Sequence, residues 1–291
     1  MSVTLPVESV ADTAFITAFC RAIETERADA HFRDPFARIL ASDCGEEALQ
    51  RLPAPELTAS ACIVRTCLLD SILLQTVREG AVDAVLNLGA GLDTRPFRLP
   101  LPPALRWIEL DDSAVLTYKA NKLSNHRPAC LLQHVPLDVL DAQARRQLFR
   151  QVSAEAQRVL ILTEGLLIYL ASAEVASLAK DMHQLRRFRW WLSDLVSSDG
   201  MRLMEKTTAH SSNGMDNVKL LFAPREGRAF FHQYGWQTVE YHSCFDEAQR
   251  LDRWFVRKTL ASANLSRQQH EVLRNWVTVV KLKRANLDTW S

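Results

Sequence analysis

The chain has 291 residues and a formal net charge of +1, with 24% of its residues charged. That length suits one sizeable α/β unit, and so even a charge balance offers no field that would draw nucleic acid or an acidic membrane surface. The six cysteines form no Cys-x-x-Cys pair and no Cys/His ligand spacing, so no metal is expected and free thiols in a reducing cytoplasm are. No N-terminal basic-apolar signal is legible, and no apolar run is expected to reach the span of a membrane helix.

Residues 8 to 27 and 35 to 50 read as helices, broken near Arg33-Asp34-Pro35. Pro53 and Pro55 mark a second break, and a long helix from Glu56 to Arg78 stops at Gly80, a good C-terminal signal. Strands follow near 83–88, 105–110, 130–135, 158–163 and 188–194, with helical segments between most of them. That alternation predicts a largely parallel sheet. Ser211-Ser212-Asn213-Gly214 reads as a loop, and Phe222 to Phe231 as part of a cover over a substrate site. Trp236 to Ser243 and Trp276 to Lys283 read as two final strands. The expected fold is a Rossmann-like, mostly parallel seven-stranded sheet with helices on both faces. Residues 1–80 form a helical cap on a core of residues 81–291, with a substrate-covering insertion around 200–235.

The most informative stretch is Val85-Leu86-Asn87-Leu88-Gly89-Ala90-Gly91-Leu92-Asp93-Thr94-Arg95. An apolar run ending in close glycines predicts a buried strand that feeds a tight turn, where backbone approaches a nucleotide-like ligand. Gly89 and Gly91 match the first two glycines of the dinucleotide fingerprint, but Thr94 stands at the third. Asp93 also puts a carboxylate where a pyrophosphate would lie, which is unfavourable without compensation. A nicotinamide dinucleotide and a cationic adenosyl ligand are both open at this point.

Trp107-Ile108-Glu109-Leu110 is a short apolar strand that ends at Asp111-Asp112. Asp111 lies about twenty residues past the glycines, the spacing of an acid that accepts from ribose hydroxyls. Asp112 or Ser113 better suits the cap of the following helix, and Glu109 is the alternative ribose ligand.

Together these segments resemble the leucine carboxyl methyltransferase family, whose bacterial members include methyltransferases acting on polyketides. The likeness lies in Leu88 to Arg95, in Trp107 to Asp111 and in Tyr118-Lys119. It continues in Arg33-Asp34-Pro35-Phe36-Ala37, in Arg65-Thr66 with Asp70, in Val135-Pro136-Leu137-Asp138, and in Thr163-Glu164-Gly165-Leu166-Leu167-Ile168-Tyr169-Leu170. It runs from residue 30 to residue 245.

The resemblance implies S-adenosyl-L-methionine as cofactor and a small molecule of secondary metabolism as substrate; no nucleic acid and no membrane partner are expected, from the charge balance already given. It implies that Gly89, Ala90 and Gly91 make room for the methionine and ribose portions. Asp111 would hold the ribose, and Asp138 with the backbone of Val139 the adenine. Arg65 would pair with the cofactor carboxylate, and Glu164 would lie at the methionine end. Arg33 is a weaker basic candidate. Arg95 is expected to brace the glycine loop or neutralise Asp93, and Tyr169 to orient a substrate or lie at the surface. Glu164 and Tyr169 are the catalytic candidates.

Gly89, Asp111, Asp138 and Glu164 all fall at predicted strand ends, where open α/β sheets bind ligands. Successive acids there suit a ligand with several donors and a positive charge. The expected reaction is methylation of a carboxylate, which is ionised at neutral pH and needs no general base. His31, His183, His210 and His232 are scattered away from the motifs. Methylation of a phenolic or alcoholic hydroxyl, a nicotinamide-dependent oxidoreductase and a non-catalytic relative are the alternatives.

Overall fold

The computed structural model describes residues 10–52, 54–202, 219–253 and 267–285. The chain enters through α1 (Val10–Glu26), α2 (Ala37–Gln50) and α3 (Pro55–Arg78). There follow β1 (Ala84–Leu88), a short α4 (Arg95–Arg98), β2 (Arg106–Asp111), α5 (Ser113–Lys122), β3 (Leu131–Pro136), α6 (Ala142–Glu155) and β4 (Val159–Thr163). After a 3₁₀ turn at Leu167–Tyr169 come α7 (Ser172–His183) and β5 (Phe188–Val196). Beyond a 3₁₀ segment at Gly227–Tyr234 lie β6 (Trp236–Ser243), α8 (Cys244–Arg250), α9 (Arg267–Trp276) and β7 (Val277–Arg284). The expected strands are present, most within a residue of their predicted ends. The predicted loop at Ser211 to Gly214 lies outside the described residues.

The seven strands run β3-β2-β1-β4-β5-β7-β6. The pairs among β1 to β5 are parallel, and β7 is antiparallel to both β5 and β6. From β1 the chain winds outward to β3 and then returns to place β4 on the other side of β1. The point where the winding reverses lies between β1 and β4. In open α/β sheets this is the place where ligands bind, because the flanking connections leave in opposite directions.

Both faces of the sheet are closed by apolar side chains, which is why β1 and β4 are buried along their whole length. Leu86 and Leu88 of β1 face α6, α7 and the aromatics Phe222, Phe230 and Phe231, whereas Val85 faces α3 and α8. The period of two along the strand thus feeds two cores. Phe222, Phe230 and Phe231 are 1%, 7% and 0% exposed and stack edge-on with one another, Phe231 also with Trp191. They fill the core and do not line an open cover, because each ring meets other rings on its apolar faces.

Helix α3 corrects the expectation about apolar runs. Its 24 residues are long and apolar enough, by length and composition alone, to cross a membrane. Here the apolar stripe Val64, Leu68, Leu69, Ile72 and Leu73 packs on the sheet. α1 and α2 form a third apolar cluster, with Phe15, Phe19 and Leu40, that reaches Leu92 of the glycine loop and Leu123 after α5.

Candidate active site

β1 delivers the chain to the reversal point, and the glycine turn begins at once. Gly89 and Gly91 have φ of +64° and +49°, the left-handed region that side chains disfavour. The N–H groups of Gly89 and Ala90 both donate to the Leu110 carbonyl, at 2.8 and 3.1 Å, which pins the turn to β2. A Cβ at Gly91 would lie 3.2 Å from Cβ of Ala14, so α1 closes over this turn.

Asp111, the last residue of β2, accepts from the Gly91 N–H at 2.6 Å and from the Asp112 N–H at 2.7 Å. Burial pushes its carboxyl up from the usual value, and these two bonds only partly oppose that. Asp112 caps α5, accepting from the Ala114 N–H at 2.7 Å, as its position suggested. Glu109 is removed as a ribose ligand. It is fully buried, and Lys119 Nζ donates to both its oxygens at 2.7 Å.

Asp93 does not present its charge to a ligand. Its carboxylate accepts from Asn87 Nδ2 at 2.9 Å and from the backbone N–H and Nη1 of Arg95 at 2.8 Å each. Burial would raise its pKa, but Arg95 and Lys119 outweigh burial and hold it far below the usual value. The repulsion expected of Asp93 is thus compensated from within the loop. Arg95 does what was expected of it and more: it also donates to Asp70 Oδ1 and Glu164 Oε2, both at 2.7 Å. Thr94 stands at the third glycine position because its hydroxyl has a partner. Oγ1 donates to Asp34 Oδ2 at 2.6 Å in a fully buried contact.

Asp34 in turn accepts from Arg21 Nε at 2.8 Å, and Arg21 Nη2 reaches the Leu92 carbonyl at 2.7 Å. Arg98 donates to Asp70 and lies 3.7 Å from Asp34. The N-terminal Asp-Pro element is therefore a bracket for the glycine loop. Arg33 is exposed and donates to backbone carbonyls of Thr25 and Arg27, away from the site, and Arg21 is the basic residue that reaches the loop. Thr94→Val, which keeps the shape and removes the hydroxyl, is expected to cost about 1–3 kcal/mol by leaving a buried carboxylate short of one donor. Urea unfolding checks this, and an unchanged midpoint would mean that the loop bracket carries no energy.

At the end of β4, Glu164 lies between two guanidinium groups. Its Oε1 accepts from Arg65 Nε at 3.0 Å and its Oε2 from Arg95 Nη1 at 2.7 Å. Burial would raise its pKa, yet Arg95 and Arg65 prevail and hold it below the usual value. Arg65 Nη1 donates to Asp194 Oδ2 at 3.0 Å, and Asp194 Oδ1 accepts from the Gly165 N–H at 2.7 Å. Arg65 therefore does not snorkel to solvent from α3. Its Nη2 forms no hydrogen bond among the described residues. Helix α7 takes its N-terminal carboxylate from Glu174, which accepts from the Ala171 N–H at 2.7 Å, so Glu164 is not that helix's cap.

Asp138, two residues past β3, is exposed and accepts from the Leu140 N–H at 2.8 Å. Val139 is buried, and its carbonyl accepts from Arg145 Nη1 at 2.8 Å. Tyr169 is partly buried in the 3₁₀ turn. Burial pushes its hydroxyl up, against a hydrogen bond with Thr13 of α1. The site thus gathers Arg65, Gly89, Ala90, Gly91, Asp111, Glu164 and Tyr169 around the ends of β1, β2 and β4, under α1. Sequence reading missed Asp194, Arg21, Arg98 and the linking role of Asp34.

Asp34, Asp93 and Glu164 all have depressed folded-state pKa values. Each contributes stability that is fully present above its unfolded value, about 3.9 for Asp and 4.3 for Glu, and is lost as pH falls through the folded value. The expected result is a urea midpoint that holds from pH 7 to pH 5 and falls steeply below about pH 4. A midpoint that changes evenly across that whole range would contradict it.

The chain matches the model of the leucine carboxyl methyltransferase family over residues 14–183. A Streptomyces avermitilis protein named "Putative S-adenosyl-L-methionine-dependent methyltransferase/SAV474" is 35% identical over 170 residues, which cover 54% of this chain and 59% of that one. A Mycolicibacterium paratuberculosis protein of similar name is 35% identical over 151 residues, 45% of this chain and 47% of its own. The matches span about half the length of these curated relatives. In overall fold the chain is similar to a DUF574 family protein from Streptomyces avermitilis, with a TM-score of 0.58 at 13% identity over 94% of this chain and 97% of that one. It is similar also to a crystallised methyltransferase candidate from Thermobifida fusca, with a TM-score of 0.56 at 15% identity over 98% of this chain and all of the other. The match of more than half the chain places this protein in the leucine carboxyl methyltransferase family.

Proposed function

We propose that this protein is an S-adenosyl-L-methionine-dependent O-methyltransferase that esterifies a carboxylate of a small molecule. The observation that carries the cofactor reading is the charge of the site. Arg21, Arg65, Arg95 and Arg98 are linked to Asp34, Asp70, Asp93, Glu164 and Asp194, four cations against five anions. A buried network with one anion in excess, beside the further carboxylate of Asp111, suits a cationic ligand, and S-adenosylmethionine, of net charge +1 at neutral pH, is such a ligand. A phosphate-rich dinucleotide is not.

The residues present fit this cofactor. The left-handed turn at Gly89 and Gly91 keeps side chains out of the crevice. Asp111 has carboxylate lone pairs left for ribose hydroxyls, and Arg65 keeps Nη2 for the cofactor carboxylate. Asp138 and the backbone of Val139 serve the adenine. Bound, the cofactor supplies an activated methyl group that an oxygen nucleophile takes as the carbon–sulfur bond breaks.

What the chain must supply is alignment and dryness. Glu164 is ionised but tied to two arginines, and Tyr169 has its pKa raised, so neither readily accepts a proton at neutral pH. An acceptor that is already ionised needs neither group, and a carboxylate meets that condition where a phenol or alcohol does not. Glu164 is then a charge-placing residue at the methionine end, and Tyr169 with Thr13 shapes the acceptor side under α1.

The test is methyl transfer from labelled cofactor to a library of organic acids and their hydroxyl counterparts, followed by mild alkali. A methyl ester releases labelled methanol and a methyl ether does not. Release is the expected result. An alkali-stable product would overturn the carboxylate reading, and no transfer together with no binding of S-adenosylhomocysteine would overturn the cofactor reading.

A further inference from the structure

Asp194 is unexplained by the reaction. It sits near the end of β5, is 9% exposed, and lies 129 residues from the arginine it meets. Arg65 already has a carboxylate partner in Glu164, which in turn has a second arginine in Arg95. The Asp194 carboxylate is bonded otherwise only to the Gly165 N–H among the described residues. Remove it from the count and the network holds four arginines and four carboxylates. The same holds for any one of the five, but Asp34, Asp70 and Asp93 brace the glycine loop and Glu164 is shared by two arginines, whereas Asp194 meets Arg65 alone and is the acid left over from those roles.

We propose that Asp194 is a positioning residue that sets this charge excess through Arg65, and so makes the site favour the cationic cofactor over the neutral thioether left after methyl transfer. The inference rests on reading Arg65 and Glu164 as the methionine end of the cofactor site. Substrate cofactor and spent product differ by a methyl group and one positive charge on sulfur. Their shapes are otherwise alike, so hydrophobic contacts discriminate weakly, whereas a fixed charge in a poorly screened crevice discriminates by Coulomb's law. The same carboxylate holds the Gly165 turn that follows Glu164 and one terminal nitrogen of Arg65. Nε and Nη1 of Arg65 are thereby engaged, and Nη2 is left without a hydrogen bond among the described residues.

Calorimetric titration of S-adenosylmethionine and S-adenosylhomocysteine into the wild-type protein, Asp194→Asn and Asp111→Ala tests this. Asp194→Asn retains an oxygen for the Gly165 N–H and loses the charge. It is expected to shift the ratio of the two dissociation constants toward the product by on the order of tenfold. Asp194→Glu, which restores the charge, is expected to bring the ratio back. Asp199→Asn removes an acid whose side chain is 56% exposed, and is expected to leave the ratio unchanged. An equal weakening of both ligands in Asp194→Asn would make the residue merely structural and overturn the proposal, as would an unchanged ratio.

If Asp111→Ala weakens both ligands while the Asp194 ratio does not move, the site reading stands and this proposal alone fails. If Asp111→Ala and Glu164→Gln bind both ligands as the wild type does, the site reading itself fails. Should Asp194→Asn not fold, the wild type decides with the tertiary-amine analogue of S-adenosylmethionine. Its affinity must rise as pH is lowered through the amine's own pKa, and a flat profile overturns the proposal.

Discussion

Arg95→Ala is expected to lower the stability of the folded protein by about 3–5 kcal/mol, because it strands buried carboxylates without their shared cation. Asp70, Asp93 and Glu164 each lose a bond of 2.7–2.8 Å, and the Arg95 side chain is only 3% exposed, so water does not replace it. For a domain of this size the loss amounts to a fall in Tm of roughly 10 °C. Arg95→Lys is expected to recover little, since one ammonium cannot span three carboxylates as a planar fork does. Calorimetry at pH 7 measures both. A further distinction lies in acid: the gap between the variant and the wild type should narrow progressively as pH falls below about 4, because Asp93 and Glu164, held ionised by Arg95 in the wild type, then give less and less advantage over the unfolded chain. A Tm shift that persists undiminished at low pH would mean that Arg95 acts by packing and not by charge.

The second large effect is on binding. Asp111→Ala is expected to reduce affinity for S-adenosylhomocysteine by about 100-fold, the value of two charge-assisted hydrogen bonds at about 1.5–3 kcal/mol each, discounted for the water that fills the gap. Asp111→Asn should fall between, since it can still accept from the Gly91 N–H. The carboxyl of Asp111 is raised by burial, so affinity should begin to fall with acid at a pH above that of an ordinary aspartate. Equilibrium titration between pH 7 and pH 4 reads all three. Full affinity in Asp111→Ala would remove the ribose assignment and, with it, the orientation of the ligand in the crevice.

Much of the frame could be read from the sequence because it is periodic. β1 and β4 are continuous apolar runs, and β6 is bounded by Gly235 before it and a helix cap after it, so pattern and punctuation agreed. The glycine turn and Asp111 are separated by a fixed strand-helix-strand spacing, and a local motif could carry them. The ion network has no such spacing. Arg65 meets Glu164 across 99 residues and Asp194 across 129, and only the winding order of the sheet brings these ends together.

A cue existed for Asp194: an acid near the end of a strand, like Glu164 on the neighbouring strand. Arg21 had no cue, since an arginine in a helix is ordinarily a solvated residue. Asp93 was legible in part, since Arg95 two residues away was expected to neutralise it, while Asn87 as a second donor had no cue. For the aromatics Phe222, Phe230 and Phe231 the sequence left core and pocket lining both open, because composition cannot distinguish rings that line a pocket from rings that fill a core; the structure buries all three.

The place of β7 has a consequence for how the protein is made. β5 and β6 form no ladder with each other; each pairs with β7, which lies between them and is synthesised after both. While the chain grows, β5 has one open edge and β6 has two. An apolar strand with unpaired N–H and C=O groups is a template for other chains. The sheet is therefore vulnerable until its last strand slots in, and damage to that segment, in Val279, Val280 or Leu282 for example, would be felt as aggregation of nascent chains before it was felt as lost activity.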